Sequence, residues 1–275
     1  MDQWGRPLEE TLTLTSVGVD VYLATLPGFG AVTLGCAALA AGRTCDGRAL
    51  HSLHAYFMRP VTSEIQVEFV VERVRDGRRV ALRRVQARVE DRVLFEMTAS
   101  FTSPGEGADF QDAVAPTVPA PETLTPDIEI AREEGWRPGE PSPVGGPFEW
   151  RWPEIPWRLE GGDAPSYYEG WVRPRFPMPE DTAFNGAALA YASDYHSHMS
   201  VARRLGGHFV PWGYTSLDQV VWVHRDLHWS DWRLMTTECD AAYGGRALSR
   251  RRLYTREGIL VASMLQEQLI PSSQP

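Results

Sequence analysis

The segment SDYHSHM, residues 193–199, places His196 and His198 two apart, a pattern that suggests metal ligation or proton transfer. On a helix that spacing points the two rings to different faces, and no third ligand follows at matching spacing, so no metal site is expected. Cys36, Cys45 and Cys239 are an odd number without a CxxC pair, which predicts reduced thiols and no zinc. His51, His54, His224 and His228 sit in aromatic strand segments, where a partly buried, hydrogen-bonded ring is the common role. Arginines cluster at Arg78, Arg79, Arg83 and Arg84 and again at Arg250, Arg251 and Arg252; charge runs of this kind read as solvated strand faces paired with neighbouring acids.

The elements that must position any such chemistry come in two similar sets. In the first, a short apolar strand (VDVYLATL) precedes GFGAVTLGCAALAAGR, whose glycines and alanines suit a helix packed closely on a sheet. The alternating runs EIQVEFVVERVRD, RRVALRRVQARVED and RVLFEMTASF follow, joined by DG and ED turns as in an antiparallel meander. The second set repeats the order: FNGAALAYASD as a small-residue helix, then TSLDQVVWVHRD, WRLMTTECDAAYGG, RALSRRRLYTREG and ILVASMLQEQLI as strands. Val93-Leu94-Phe95 aligns with Ile259-Leu260-Val261 and Arg84-Val85 with Arg252-Leu253, the first hairpin being two residues longer. A repeat of about a hundred residues indicates a duplicated domain, not a solenoid unit. Each copy is expected to wrap an antiparallel sheet around one helix, an α+β fold.

Between the copies lie twelve of the 21 prolines, from Pro104 to Pro165, in a stretch with neither a strand nor a helix period. The domains therefore read as 1–103, a Pro/Trp-rich linker 104–166, and 167–275. Trp136, Phe148, Trp150, Trp152 and Trp157 are costly to leave in water, so the linker should pack on its neighbours. With 43% hydrophobic residues the 275-residue chain can close a sizeable core. A net charge of -9 argues against a nucleic-acid partner. No run approaches the roughly 18 to 20 apolar residues of a membrane span. An acidic start without a basic n-region and an SSQP end without an SKL-type signal point to a cytoplasmic protein.

Taken together, GFGAVTLGCAAL, LHSLHAYFMRP, RDGRRVALRRVQA and FEMTASF in the first copy, and LAYASD, SLDQVVWVHR and LVASMLQEQ in the second, resemble the acyl-CoA thioesterase II family. The likeness spans nearly the whole chain outside the linker and implies a tandem double hotdog fold. It also implies hydrolysis of acyl-CoA, or of an acyl-carrier-protein thioester, without a cofactor, in a homo-oligomer. In that family an aspartate, a threonine or serine and a glutamine bind the nucleophilic water; carried over, these are Asp194, Ser216 and Gln266. Ser100 stands where Gln266 stands in the second copy, and GFGAVTLGCAAL has no aspartate, so one active site per fused pair is expected. Ala31-Val32 replaces the glycine and glutamine more usual there, which removes a polar group from the acyl or oxyanion side of the pocket. The His51-Ser52 pair is a candidate lining of the pantetheine channel, and the arginine clusters could meet the phosphates of CoA.

Thioester hydrolysis needs an activated water, a stabilised oxyanion and a leaving thiolate that requires little assistance. Asp194 would act as general base, its pKa raised by partial burial, while Ser216 and Gln266 aim the water. Backbone N–H groups at a helix N-terminus would meet the oxyanion. Two other functions compete. A hotdog hydratase or dehydratase would show a D-x-N-P-x-H segment, whereas Asp194 is followed by YHSHM. A non-catalytic acyl-thioester binding protein would keep the fold without the reaction.

Overall fold

Period-2 alternation makes most of the chain into antiparallel strands, and the two alanine- and glycine-rich runs into helices that those strands enclose. The computed structural model describes residues 6–61, 64–137, 146–158, 164–205 and 214–270. In chain order the first half holds α1 (Leu8–Thr11), β1 (Thr15–Gly18), β2 (Val21–Leu26), α2 (Gly30–Gly42), β3 (Ala49–Phe57), β4 (Ile65–Asp76), β5 (Val80–Val89) and β6 (Arg92–Thr102). The middle contributes α3 (Asp127–Glu133) and β7 (Phe148–Arg151). The second half holds β8 (Tyr168–Pro174), α4 (Thr182–Asp194), α5 (Met199–Leu205), β9 (Thr215–Ser216), β10 (Asp218–Val223), β11 (Arg233–Tyr243), β12 (Arg246–Tyr254) and β13 (Leu260–Leu269).

The strand order is β1-β2-β4-β5-β6-β3-β10-β13-β12-β11-β8-β7, with β9 paired to β13. Read outward from the centre, β3-β6-β5-β4-β2 and β10-β13-β12-β11-β8 are the same arrangement twice, so the fold is the double hotdog expected. The two half-sheets are continuous, because β3 and β10 pair antiparallel with Leu53 opposite Val221 and His54 opposite Val220. This seam fixes the relation between the halves and brings their helices together.

Helices α2 and α4 are each 13 residues long and buried along nearly their whole length. They pack antiparallel, since the start of α2 lies against the end of α4 and the end of α2 against the start of α4. Small residues make this possible. A Cβ on Gly42 would fall 2.7 Å from the Cβ of Ala183, and one on Gly35 would fall 2.8 Å from Leu12 and 3.4 Å from the carbonyl of Ala187.

The proline-rich middle carries more structure than its composition indicated. β7 adds to the edge of β8 with Trp150 opposite Val172, and a four-residue strand is too short for alternation to show in sequence. Trp150 and Trp152 stack with ring centroids 5.9 Å apart, and Trp152 lies over Gly170, where a side chain would collide with the indole. Ahead of α3, the segment runs along the outer face of the second half: the Gln111 side chain bonds the backbone of Gly258 and Leu260, and Ala113, Ala115 and Val118 cover Trp171, Trp232, Leu234 and Tyr254. Most of RPGEPSPVGGP and the SSQP end lie outside the described residues.

Replacing Gly42 with Ala forces α2 away from α4, and overpacking of a buried helix contact costs about 1–3 kcal/mol. Urea unfolding of Gly42→Ala is expected to show a lowered midpoint with an unchanged slope; an unchanged midpoint would mean that the helices separate freely.

Candidate active site

Asp194 is the last residue of α4, Ser216 lies on the two-residue strand β9, and Gln266 lies on the inner face of β13, where its neighbours Met264 and Gln268 are also buried. The fold brings the three side chains into mutual contact. Ser216 Oγ donates to Asp194 Oδ1 at 3.1 Å, and Gln266 Nε2 donates to Asp194 Oδ1 at 2.5 Å and to Ser216 Oγ at 3.1 Å. β9 exists because Ser216 pairs with Gln268 of β13, and the next turn is pinned by Asp218 accepting from the Glu267 amide.

A fourth group completes the array. Ser197, three residues past Asp194, donates its hydroxyl to Gln266 Oε1. With Oε1 so occupied, both amide hydrogens of Gln266 face Asp194 and Ser216, and every hydrogen bond in the set runs toward the carboxylate. Ser197 is itself held, since its carbonyl accepts from Ser249 Oγ and from Ser200 Oγ.

The carboxylate also crosses from one half of the molecule to the other. α2 starts after Phe29, which supplies no side-chain cap, and the Ala31 backbone N–H is bonded to Asp194. Asp194 thus satisfies an orphan donor at the positive end of a helix in the first copy. Gly30 keeps this approach open: a Cβ there would stand 3.2 Å from Asp194 Oδ2 and 3.3 Å from the Phe57 ring. Burial pushes the Asp194 carboxyl above the usual carboxylate range, opposed by the bonds from Gln266 and Ser216, the Arg251 charge and the Ala31 amide.

The equivalent position in the first copy holds no such set. Gly42, the last residue of α2, faces Ala183 near the start of α4, and α4 is capped locally by Asp181 accepting from the Phe184 N–H. Ser100 is bonded there to His51 Nε2 at 2.7 Å.

Comparison with known proteins fits this geometry. Residues 26–102 match the family model for the acyl-CoA thioesterase N-terminal domain, and residues 121–270 match that for the C-terminal domain. The chain belongs to the acyl-CoA thioesterase family. It is 29% identical to acyl-CoA thioesterase 2 of Haemophilus influenzae over 83% of this chain and 82% of that protein. It is 28% identical to human acyl-coenzyme A thioesterase 8 over 96% of this chain and 86% of that one. The crystal structure of acyl-CoA thioesterase II TesB2 from Mycobacterium marinum superposes with a TM-score of 0.77 at 30% identity, covering 97% of this chain and all of the other. The protein is a thioester hydrolase.

Most of the other residues singled out in the sequence lie outside the Asp194, Ser216 and Gln266 cluster. His196 and His198 are in the turn between α4 and α5, not on a helix, and His196 adopts a left-handed backbone with φ 60°. His196 meets Trp150 and Trp152 edge-on, and His198 lies against Tyr214. Burial holds both rings neutral, pushing His198 down to about 4 and His196 well below its ordinary value. His54 packs against Trp222, and His224 bonds Ser263. Arg84, Arg250 and Arg252 form surface ion pairs, whereas Arg83 and Arg251 are buried, a departure from the solvated-face reading.

Without its hydroxyl donor the Gln266 amide can turn its oxygen toward the carboxylate. Ser197→Ala in the thioesterase is therefore expected to lower kcat about tenfold, the equivalent of one hydrogen bond, with KM little changed. Steady-state thiol release compares the two; equal kcat values would show that Ser197 does not set the amide.

Proposed function

We propose that the enzyme hydrolyses acyl-CoA to a free carboxylic acid and CoA by means of a water held and deprotonated at Asp194. The observation that carries this reading is the convergence of Ser216, Gln266 and the Ala31 amide on one buried carboxylate beside Gly30. Ser216 is the least buried member, so substrate and water enter past it and past Gly30. The water donates one proton to the carboxylate, and Ser216 aims it with a second hydrogen bond.

The water oxygen attacks the thioester carbonyl carbon, forming a C–O bond, and the carbonyl oxygen takes up negative charge. The head of α2 is the source of positive potential at that point, with the Gly30 N–H as the donor for the oxyanion. Collapse of the tetrahedral species breaks the C–S bond, and the proton held by Asp194 passes to the departing thiolate or to solvent. The low dielectric of the helix interface strengthens each of these interactions. Phe57, Phe29 and Tyr195 form an aromatic wall around Gly30, with Phe29 and Tyr195 edge-to-face at 5.2 Å and Phe57 against Phe95 at 5.2 Å. The acyl group passes this wall. The proposal includes a cytoplasmic, homo-oligomeric enzyme; no helix among the described residues is long and apolar enough to cross a membrane.

The hydratase alternative requires a histidine at the carboxylate, and His196 and His198 are instead packed against Trp150, Trp152 and Tyr214. Thiol release from a panel of saturated, branched and aromatic acyl-CoAs tests the main reading. Asp194→Asn is expected to retain acyl-CoA binding and lose turnover by at least about a hundredfold, as when a general base is removed. Wild-type turnover in that variant would refute the assignment of Asp194.

The base acts in its ionised form. As pH falls through the raised pKa of Asp194, protonation removes it, so the acid limb of kcat/KM is expected above the 3.8 of an unperturbed aspartate. A limb at or below that value would show a carboxylate outside this environment.

Gly30→Ala places a methyl between the carboxylate and Phe57, and is expected to cut kcat/KM by about tenfold to a hundredfold with little loss of stability, since 1 Å of misplacement has that scale of effect. Unchanged kcat/KM would move the substrate path away from the head of α2.

A further inference from the structure

A buried arginine stands behind the last turn of α4. Arg251, on the inner face of β12, is 1% exposed; its Nη1 donates to the carbonyls of Ala192 at 3.3 Å and Ser193 at 2.7 Å, and its Nε donates to Thr237 Oγ1 at 3.1 Å. Those carbonyls immediately precede Asp194. The duplication places Arg83 at the matching position of β5, where it is fully buried and holds the chain just past the end of α2, bonding Thr44 Oγ1 at 2.7 Å and the Thr44 carbonyl at 2.9 Å.

The two arginines differ in how their charge is met. Arg83 reaches the half-exposed carboxylate of Asp76 at 2.6 Å. Among the described residues Arg251 has no ion pair, and its Nη2 is buried without a hydrogen-bond acceptor. The titratable groups facing it are Tyr168 from β8, His196 and His198 from the turn after α4, and Asp194. Arg203 of α5, which also faces Tyr168, is engaged with Glu154 at 3.0 Å. Around Asp194 itself stand Tyr191 and Tyr195, with Gln266 and Ser216 as neutral donors. Burial keeps the two histidines unprotonated and the three phenols protonated. Asp194 is the one group in this set that can carry charge opposite to Arg251.

We propose that Arg251 is a positioning residue for hydrolysis: its guanidinium clamps the last carbonyls of α4 and supplies the buried positive charge that keeps the Asp194 carboxylate in its working form. Arg83 is the structural counterpart in a copy that has no base to serve. The inference rests on the reading of Asp194 as general base.

The test compares Arg251→Gln, Arg251→Lys, Arg83→Gln and Asp194→Asn by pH profiles of kcat/KM and by thermal melts. Arg251→Gln is expected to move the acid limb up by about one pH unit, the scale of losing a nearby opposite charge, and to lower kcat with KM nearly constant. Arg251→Lys should keep the limb near its wild-type position. Arg83→Gln should lower Tm and leave the limb where it was. A limb unmoved in Arg251→Gln, or moved equally in Arg83→Gln, overturns the inference while the loss of turnover in Asp194→Asn stands. Full turnover in Asp194→Asn removes the underlying reading instead. Where Arg251→Gln does not fold, the double variant with Asp194→Asn decides. A double variant that folds supports the pairing of the two charges, and one that also fails to fold overturns the proposal.

Discussion

A carboxylate from one half of the molecule closes the helix of the other. α2 begins without a side-chain cap of its own, and the group that meets its Ala31 amide is Asp194 at the end of α4. An uncapped helix start in a buried interface leaves donors unsatisfied, and a carboxylate in the same interface leaves charge unsolvated; each defect answers the other. The contact requires α2 and α4 to run antiparallel at close range, which in turn requires glycine and alanine at their contact positions and the β3–β10 seam that joins the half-sheets. Neither half alone contains both Asp194 and the head of α2.

The duplication also shows why the Asp194 cluster has no counterpart in the first copy. The two 13-residue helices are equivalent, so a carboxylate at Gly42 would be the counterpart of Asp194. That position has no side chain and abuts Ala183, while the start of α4 is already capped by Asp181. With the donor satisfied locally and the space closed, the first copy serves as scaffold and contributes the head of α2. At Ala31-Val32 the group that the first copy presents to Asp194 is the backbone amide of Ala31.

Apart from Arg251, the groups packed behind the site include several that are polar yet uncharged. Tyr168 donates to the carbonyl of His196 at 2.5 Å, Ser200 and Gln268 bond Ser249, and the two tryptophans of the middle segment wall off His196. The proline-rich stretch is therefore part of the shell that excludes water from the end of α4. Burial raises the basicity of the Asp194 carboxylate, while the neutral donors Gln266 and Ser216 favour its ionised form.

The duplication, the two small-residue helices and the strand alternation were legible in the sequence, because each is a local pattern of residue type and period; Asp194, Ser216 and Gln266 were singled out only through the resemblance of their segments to a known family. The contact of Asp194 with Ala31 was not, since it joins residues 163 positions apart across a seam whose register appears only when β3 meets β10. Arg83 and Arg251 looked like members of surface charge runs, though their inward phase was visible in the alternation: Ala247, Ser249, Arg251 and Leu253 share one face of β12, and Ala81, Arg83 and Val85 one face of β5. Ser197 was hidden between two more conspicuous histidines, and β7 was too short to show a period. The residue types fixed which chemistry was available; tertiary packing decided which carboxylate was buried, which amide faced it and which charge remained to hold it, because desolvation and hydrogen-bond direction depend on neighbours that lie far apart along the chain.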